Sequence, residues 1–138
     1  TLFNKYLARS EKIGKLINFP SISVDEYEDQ KWIKLITDFD VSKSFSKGSH
    51  KVLLDEKGKR LSSRGFADML RVFRDEGKPE IIFSIGGAAG TPSALSSKFD
   101  DLFSFGKMVW PHFLARVMLM EQIYRASTIL ARLPYHKD

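Results

Sequence analysis

A chain of 138 residues with 43% hydrophobic content has material for one domain, burying about two thirds of the surface its unfolded form would expose. It has no cysteine, which excludes disulfides, thiolate metal sites and cysteine nucleophiles, and its three histidines (His50, His112, His136) lack the spacing of metal ligands. Lys plus Arg number 22 against 17 Asp plus Glu, a net charge of +5 that favours an anionic partner, nucleic acid first, yet also lies within ordinary solubility charge.

The chain opens at Thr1 already in helical register, with Leu2, Phe3, Tyr6 and Leu7 at helical spacing. Leu16 to Phe19 reads as a short extended piece stopped by Pro20. The acidic stretch from Asp25 to Asp29 opens a helix with apolar positions at Trp32, Leu35, Ile36 and Phe39. Ser42 to Ser49 is a loop by composition. Val52-Leu53-Leu54 forms a buried strand within Lys51 to Asp55, followed by a turn at Lys57-Gly58-Lys59.

Ser62 or Ser63 caps a helix carrying Phe66, Met69, Leu70 and Phe73, which ends near Gly77-Lys78-Pro79. Ile81-Ile82-Phe83-Ser84-Ile85 is the clearest strand, apolar on both faces as a central parallel strand should be. Strands alternating with helices predict an α/β fold with a mainly parallel sheet flanked by helices. A single domain over residues 1–138 is expected, since neither a repeat nor a low-complexity tract interrupts it.

Gly86, Gly87 and Gly90 follow that strand directly, allowing a tight turn and close backbone approach, with Thr91-Pro92 suited to cap the next helix. Neither GxGxxG nor a Gly-Lys-Ser/Thr ending is present, so a phosphate cofactor is disfavoured, and by itself the loop reads as a strand-to-helix turn. Phe105 to Pro111 is a second loop at the sheet edge, because Pro111 cannot donate to a ladder. A long helix follows from Pro111 or His112 to Leu133. Phe113, Leu114, Val117, Met118, Met120 and Tyr124 give it an apolar surface broad enough for both the sheet and a partner subunit. Glu121, Arg125 and Arg132 share the other side, Glu121 at the spacing to pair with Arg125; by itself this is a solvated face with one ion pair. No run reaches transmembrane length and no signal-peptide pattern opens the chain, so a soluble, cytoplasmic protein without membrane or metal is expected.

Several motifs in order carry a family resemblance: Leu54-Asp55, Ile85-Gly86-Gly87-x-x-Gly90, Met108-x-x-Pro111-His112 with Arg116, Glu121-Gln122-x-Tyr124-Arg125-Ala126, and Pro134-Tyr135-His136-Lys137-Asp138. Together they resemble the RlmH family, the bacterial ribosomal RNA pseudouridine N3-methyltransferases of the SPOUT class, over about Leu2 to Asp138. The resemblance implies a C-terminal deep trefoil knot, bound S-adenosylmethionine, a homodimer, and 23S rRNA in the assembled 70S ribosome as substrate. It places the cofactor against Leu54, Gly86, Gly87 and the loop Gly106, Lys107, Met108, Val109, Trp110 and Pro111. It places Tyr135, His136 and Arg125 at the target base as the catalytic or substrate-site residues. Tyr135 would stack on an extruded base, His136 would hydrogen-bond its edge, and Arg125, Arg132 and Lys137 would meet phosphates. The family pattern also starts with a strand ahead of the first helix, which does not precede Leu2 here. Gly106 in place of a more usual serine, Ala88-Ala89 and the terminal Asp138 are mild departures. A non-catalytic knotted RNA-binding protein, or the same fold acting on another RNA such as transfer RNA, is the alternative reading.

Overall fold

A computed structural model describes residues 1–39, 45–86 and 90–138 of the chain. These residues group into two compact units: Val24–Arg60 with Lys78–His112, and Thr1–Ser23 with Leu61–Gly77 and Phe113–Asp138. Among the described residues no helix is long and apolar enough to cross a membrane.

The first unit is built on three parallel strands, β1 (His50–Arg60), β2 (Ile81–Ile85) and β3 (Asp101–Ser104), in the order β2-β1-β3. The α/β class and the parallel pairing read from the sequence are therefore present. The central strand is β1, where Val52 and Leu53 are completely buried. The unbroken apolar run of β2 suggested a central strand, but β2 lies at an edge of this sheet, with Ile81, Ile82, Phe83 and Ile85 half-buried and Ser84 alone buried. Helices α1 (Leu2–Gly14) and α2 (Asp29–Thr37) come before the sheet in the chain. Ile36 of α2, with Phe39 just beyond it, packs with Leu53 of β1, Phe99, and Leu95 of the short helix α4 (Ser93–Ser96), joined by Trp32, Phe45 and Leu102. Phe39 makes edge-on contacts with Phe45 and Phe99, at 5.1 and 5.2 Å between centroids.

The largest correction concerns β1. Its predicted end at Asp55 and the turn at Lys57-Gly58-Lys59 give way to a strand that runs on to Arg60. Phe103 faces Leu54 and then Lys59, so an irregularity between those two residues is absorbed by β1 alone. Gly58 is needed there for close approach, because a Cβ on it would lie 2.5 Å from Leu102 C and Phe103 N. Thr91 does not cap α4; Pro92 occupies the cap position, and no side chain caps it. Asp25 to Glu28 stays outside α2, which starts at Asp29. Of the loop predicted at Ser42 to Ser49, residues 42–44 lie outside the described residues, and 45–49 are bend and turn.

The second unit contains α1, α3 (Ser63–Asp75) and α5 (His112–Leu130) from Phe113 onward. Ser62 caps α3 as read, its hydroxyl accepting from the Gly65 N–H at 3.0 Å, and Gly77 leaves the helix at φ +72. Leu16 to Phe19 is not extended: it is the turn that closes α1, with Asn18 at φ 60 and the Phe19 N–H returning to Gly14 O at 2.9 Å. Arg74 of α3 holds that turn by donating to Ile17 O at 3.1 Å, and lies over the Phe19 ring. Ser63 donates to Gln122 at 2.8 Å, linking α3 to α5, and Arg116 of α5 sits over Phe3 of α1 at 4.4 Å. Helix α5 ends at Leu130, short of the predicted Leu133; Arg132 at φ 59 has already left helical geometry.

Candidate functional site

The three strands stand side by side at Leu54. Leu54 faces Ile85 of β2 on one side and Phe103 of β3 on the other; β2 ends there, while β1 breaks register and pairs again at Lys59 and Arg60, opposite Phe103 and Ser104. Ligands of open parallel sheets bind beyond these ends, where strands part and main chain is left free. Four side chains fix this end of the sheet. Trp32 donates its indole N–H to Ser84 Oγ at 2.8 Å, beneath Gly86. A Cβ on Gly86 would lie 2.6 Å from Thr91 Oγ1 and 3.5 Å from the Trp32 ring, so any side chain there would have to turn the Thr91 hydroxyl aside. His112 Nδ1 donates to Gly86 O at 3.1 Å; a carbonyl can only accept, so Nδ1 carries the proton. Ser104 Oγ donates to Gly106 O at 2.8 Å and accepts from Gly106 N at 3.0 Å, winding a tight turn.

Gly106 stands at φ +119, with open space where a side chain would be. Beyond it Met108 and Val109 are 74% and 83% exposed, Trp110 is also exposed, and Lys107 and Pro111 face solvent. Leu54, Gly86, Gly106, Lys107, Met108, Val109, Trp110 and Pro111 all lie in one unit, Leu54 at the level where β2 ends, and the residues from Gly106 in the loop after β3. Gly87 lies outside the described residues. The donor set is main chain, apolar side chains and one lysine, which suits a ligand with an aromatic base, an aliphatic arm and no phosphates.

The second cluster sits in the other unit, on α5 and the tail after it. Glu121 is its hub. Its Oε1 accepts from Arg125 Nη2 at 2.6 Å, Arg125 Nε at 3.0 Å and the Tyr135 hydroxyl at 3.0 Å. Arg125 also donates through Nη1 to His136 Nδ1 at 3.1 Å, and lies over the Tyr135 ring at 4.8 Å. Tyr135 packs edge-on against Tyr124 at 4.6 Å between centroids, and Tyr124 touches Tyr6 at 5.6 Å. His136 Nε2 meets Asp138 Oδ1 at 3.0 Å. Because Arg125 can only donate, His136 Nδ1 must accept, and the remaining proton sits on Nε2 facing Asp138.

The electrostatics follow from these contacts. The Tyr135 phenol is pushed well above its ordinary value, by burial first and then by hydrogen bonds with Tyr6 and Glu121, so it stays a neutral donor. The Arg125 guanidinium is raised, mainly by its hydrogen bonds to Glu121. Arg64 at the start of α3 holds the Asp138 carboxyl below its usual range, with His136 adding to the effect. Tyr135, His136 and Arg125 are therefore brought together as the sequence suggested. Arg125 covers one face of the Tyr135 ring, so that face is closed to a stacking base. Glu121 appeared in sequence as a helical ion-pair partner and in a family motif, without a role at the site; Tyr6, Arg64 and Trp32 gave no functional signal, because their partners lie more than fifty residues away in the chain.

The sheet is parallel and of α/β type, a glycine turn follows β2, and the long helix α5 is followed by a Tyr-His tail. A family model described as "Predicted SPOUT methyltransferase" matches residues 1–136. Curated relatives named ribosomal RNA large subunit methyltransferase H match nearly the whole chain. Those of Cereibacter sphaeroides and Dinoroseobacter shibae are each 45% identical over 137 residues, 99% of this chain and 88% of theirs. The relative from Ruegeria pomeroyi is 42% identical over 138 residues, with the same shares covered. The chain belongs to the SPOUT methyltransferase family.

Proposed function

We propose that this protein is an S-adenosylmethionine-dependent methyltransferase that modifies N3 of a pseudouridine in 23S ribosomal RNA within the assembled 70S ribosome. It does so in the cytoplasm as a homodimer, with its C-terminal segment tied in a deep trefoil knot. The level at Leu54, Ile85 and Phe103, where β2 ends and β1 breaks its pairing, carries this reading, since main chain and apolar side chains meet there. The names of relatives 45% identical over 99% of this chain support the RNA half.

Leu54, Gly86 and the loop from Gly106 through Lys107, Met108, Val109 and Trp110 to Pro111 would hold the donor, with Gly87 joining them by resemblance. When bound, the donor supplies a methyl group on a positively charged sulfur, reactive toward a ring nitrogen placed in line with it. Trp32, Ser84 and His112 keep the Gly86 carbonyl and the β2 end in place. On the RNA side, Tyr135, His136 and Arg125 act as one unit organised by Glu121. In this arrangement neither nitrogen of neutral His136 offers a free lone pair: Nδ1 is filled by Arg125, and Nε2 carries the proton. His136 therefore orients Arg125 and the tail rather than removing the N3 proton, which passes to solvent.

The test is transfer of a labelled methyl group from S-adenosylmethionine to ribosomes lacking the modification, with nucleoside mass spectrometry of the product. A single N3-methylpseudouridine in 23S RNA is expected. Label in transfer RNA instead would overturn the substrate. Donor binding by calorimetry without any transfer would overturn catalysis and leave a non-catalytic RNA-binding protein.

A further inference from the structure

One charged contact, not yet assigned a role, lies beside the tail cluster. Arg64 Nε donates to Asp138 Oδ1 at 2.7 Å and Arg64 Nη2 to Asp138 Oδ2 at 2.9 Å, a two-pronged pairing of guanidinium and carboxylate. Both side chains are largely exposed, 58% and 70%. The same Asp138 oxygen meets His136 Nε2 at 3.0 Å, and His136 in turn takes a hydrogen bond from Arg125. Lys137 is exposed between them. A guanidinium fork fits a phosphate as well as it fits a carboxylate, and an exposed pair of this kind contributes little to stability. The contact is therefore shaped for a phosphate and weak enough to be exchanged for one.

We propose that Arg64 and His136 form a binding site for an RNA backbone phosphate, and that Asp138 occupies it in the free protein as an internal stand-in that the incoming phosphate displaces. This rests on the ribosomal RNA reading and deepens it. It adds a contact from α3 to those on α5 and the tail, and makes Asp138 a latch. Removing the latch should tighten RNA binding, removing the fork should weaken it, and the first effect should need the second residue.

The experiment is fluorescence anisotropy of a labelled single-stranded RNA oligonucleotide, titrated with the full chain and its Arg64→Gln, Asp138→Asn and doubly substituted forms across a salt series. Asp138→Asn should bind about two- to fivefold tighter at low salt, the equivalent of one exposed ion pair that no longer has to open. Arg64→Gln should bind more weakly, with the slope of log affinity against log salt reduced by about 0.7, one phosphate contact on a single strand. In the Arg64→Gln background, Asp138→Asn should change little. If Asp138→Asn tightens binding equally in both backgrounds, the effect is net charge alone and the latch is refuted. If all four proteins bind alike, the fork is refuted while the RNA reading stands. A wild-type protein that binds no RNA at any salt concentration overturns both. Unchanged binding of S-adenosylmethionine to Arg64→Gln, measured by calorimetry, confirms that a weakened variant is folded.

Discussion

Glu121 is the residue whose loss should disturb the tail most, and its cost follows from the contacts. One oxygen accepts three hydrogen bonds, from Arg125 at 2.6 and 3.0 Å and from Tyr135 at 3.0 Å, and the other accepts from Gln122 at 3.0 Å. The Glu121 and Arg125 side chains are 18% and 24% exposed, so solvent screens them only in part. Hydrogen bonds to a charged group contribute about 1.5–3 kcal/mol each when buried. Three of these bonds share one oxygen, and water reaches the pair, so Glu121→Ala should lose about 2–3 kcal/mol and Glu121→Gln about 1–2 kcal/mol. Urea unfolding followed by circular dichroism reads both values, and melting should fall by about 3–5 °C per kcal/mol for a chain of this size. Amide exchange at Tyr135, whose N–H donates to Leu133 O at 3.0 Å, should accelerate as the tail loosens. A double-mutant cycle with Tyr135→Phe should show coupling of about 1 kcal/mol. If both Glu121 variants fall within about 0.5 kcal/mol of wild type and the cycle is additive, the cluster is a solvated ion pair and not an organising hub.

Three other outcomes are expected. Gly58→Ala places a Cβ 2.5 Å from the β3 backbone and should cost about 3 kcal/mol or more, whereas Gly77→Ala meets nothing within 4 Å and should cost only about 1–2 kcal/mol for its left-handed backbone; equal melting temperatures would refute the close approach. Tyr135 has its folded phenol pKa raised above the ordinary 10.0, so it adds stability that is complete below pH 10.0 and lost as pH rises beyond it; Tyr135→Phe should flatten the alkaline limb of a stability-against-pH curve, and an unchanged limb would count against the burial of that hydroxyl. Trp32→Phe removes the donor to buried Ser84 and should cost about 1–3 kcal/mol in denaturant unfolding, with weaker binding of S-adenosylmethionine; unaltered stability and affinity would mean that this bond does not hold the end of β2.

Where the sequence carried strong local signals, it matched the fold. Val52-Leu53-Leu54, Ile81 to Ile85 and the Ser62 cap were legible because burial and capping are encoded within a few residues. β3 was not: four residues opening on Asp101 hold too little periodicity to separate them from a loop. Gly58 between two lysines has the composition of a turn, and only the backbone of β3 reveals that it is a strand glycine. The strand-end loops were visible as candidate binding segments because glycine and proline punctuate them. The tail cluster was half visible: Glu121 and Arg125 declare themselves by helical spacing, while Tyr6 and Arg64 reach the tail only through tertiary packing that no local pattern records.

The loop after Gly106 keeps Met108 and Val109 in water at 74% and 83% exposure. Apolar surface held open in this way is hydrated at a cost in heat capacity, and covering it releases that water. Association at this loop, with the methyl donor or with a second copy of the chain, should therefore be recorded as a binding enthalpy that grows more negative as temperature rises. The steepness of that slope, taken from titrations at several temperatures, measures how much of the loop each occupant covers, and it distinguishes a small molecule seated on the main chain from a subunit closing over the side chains.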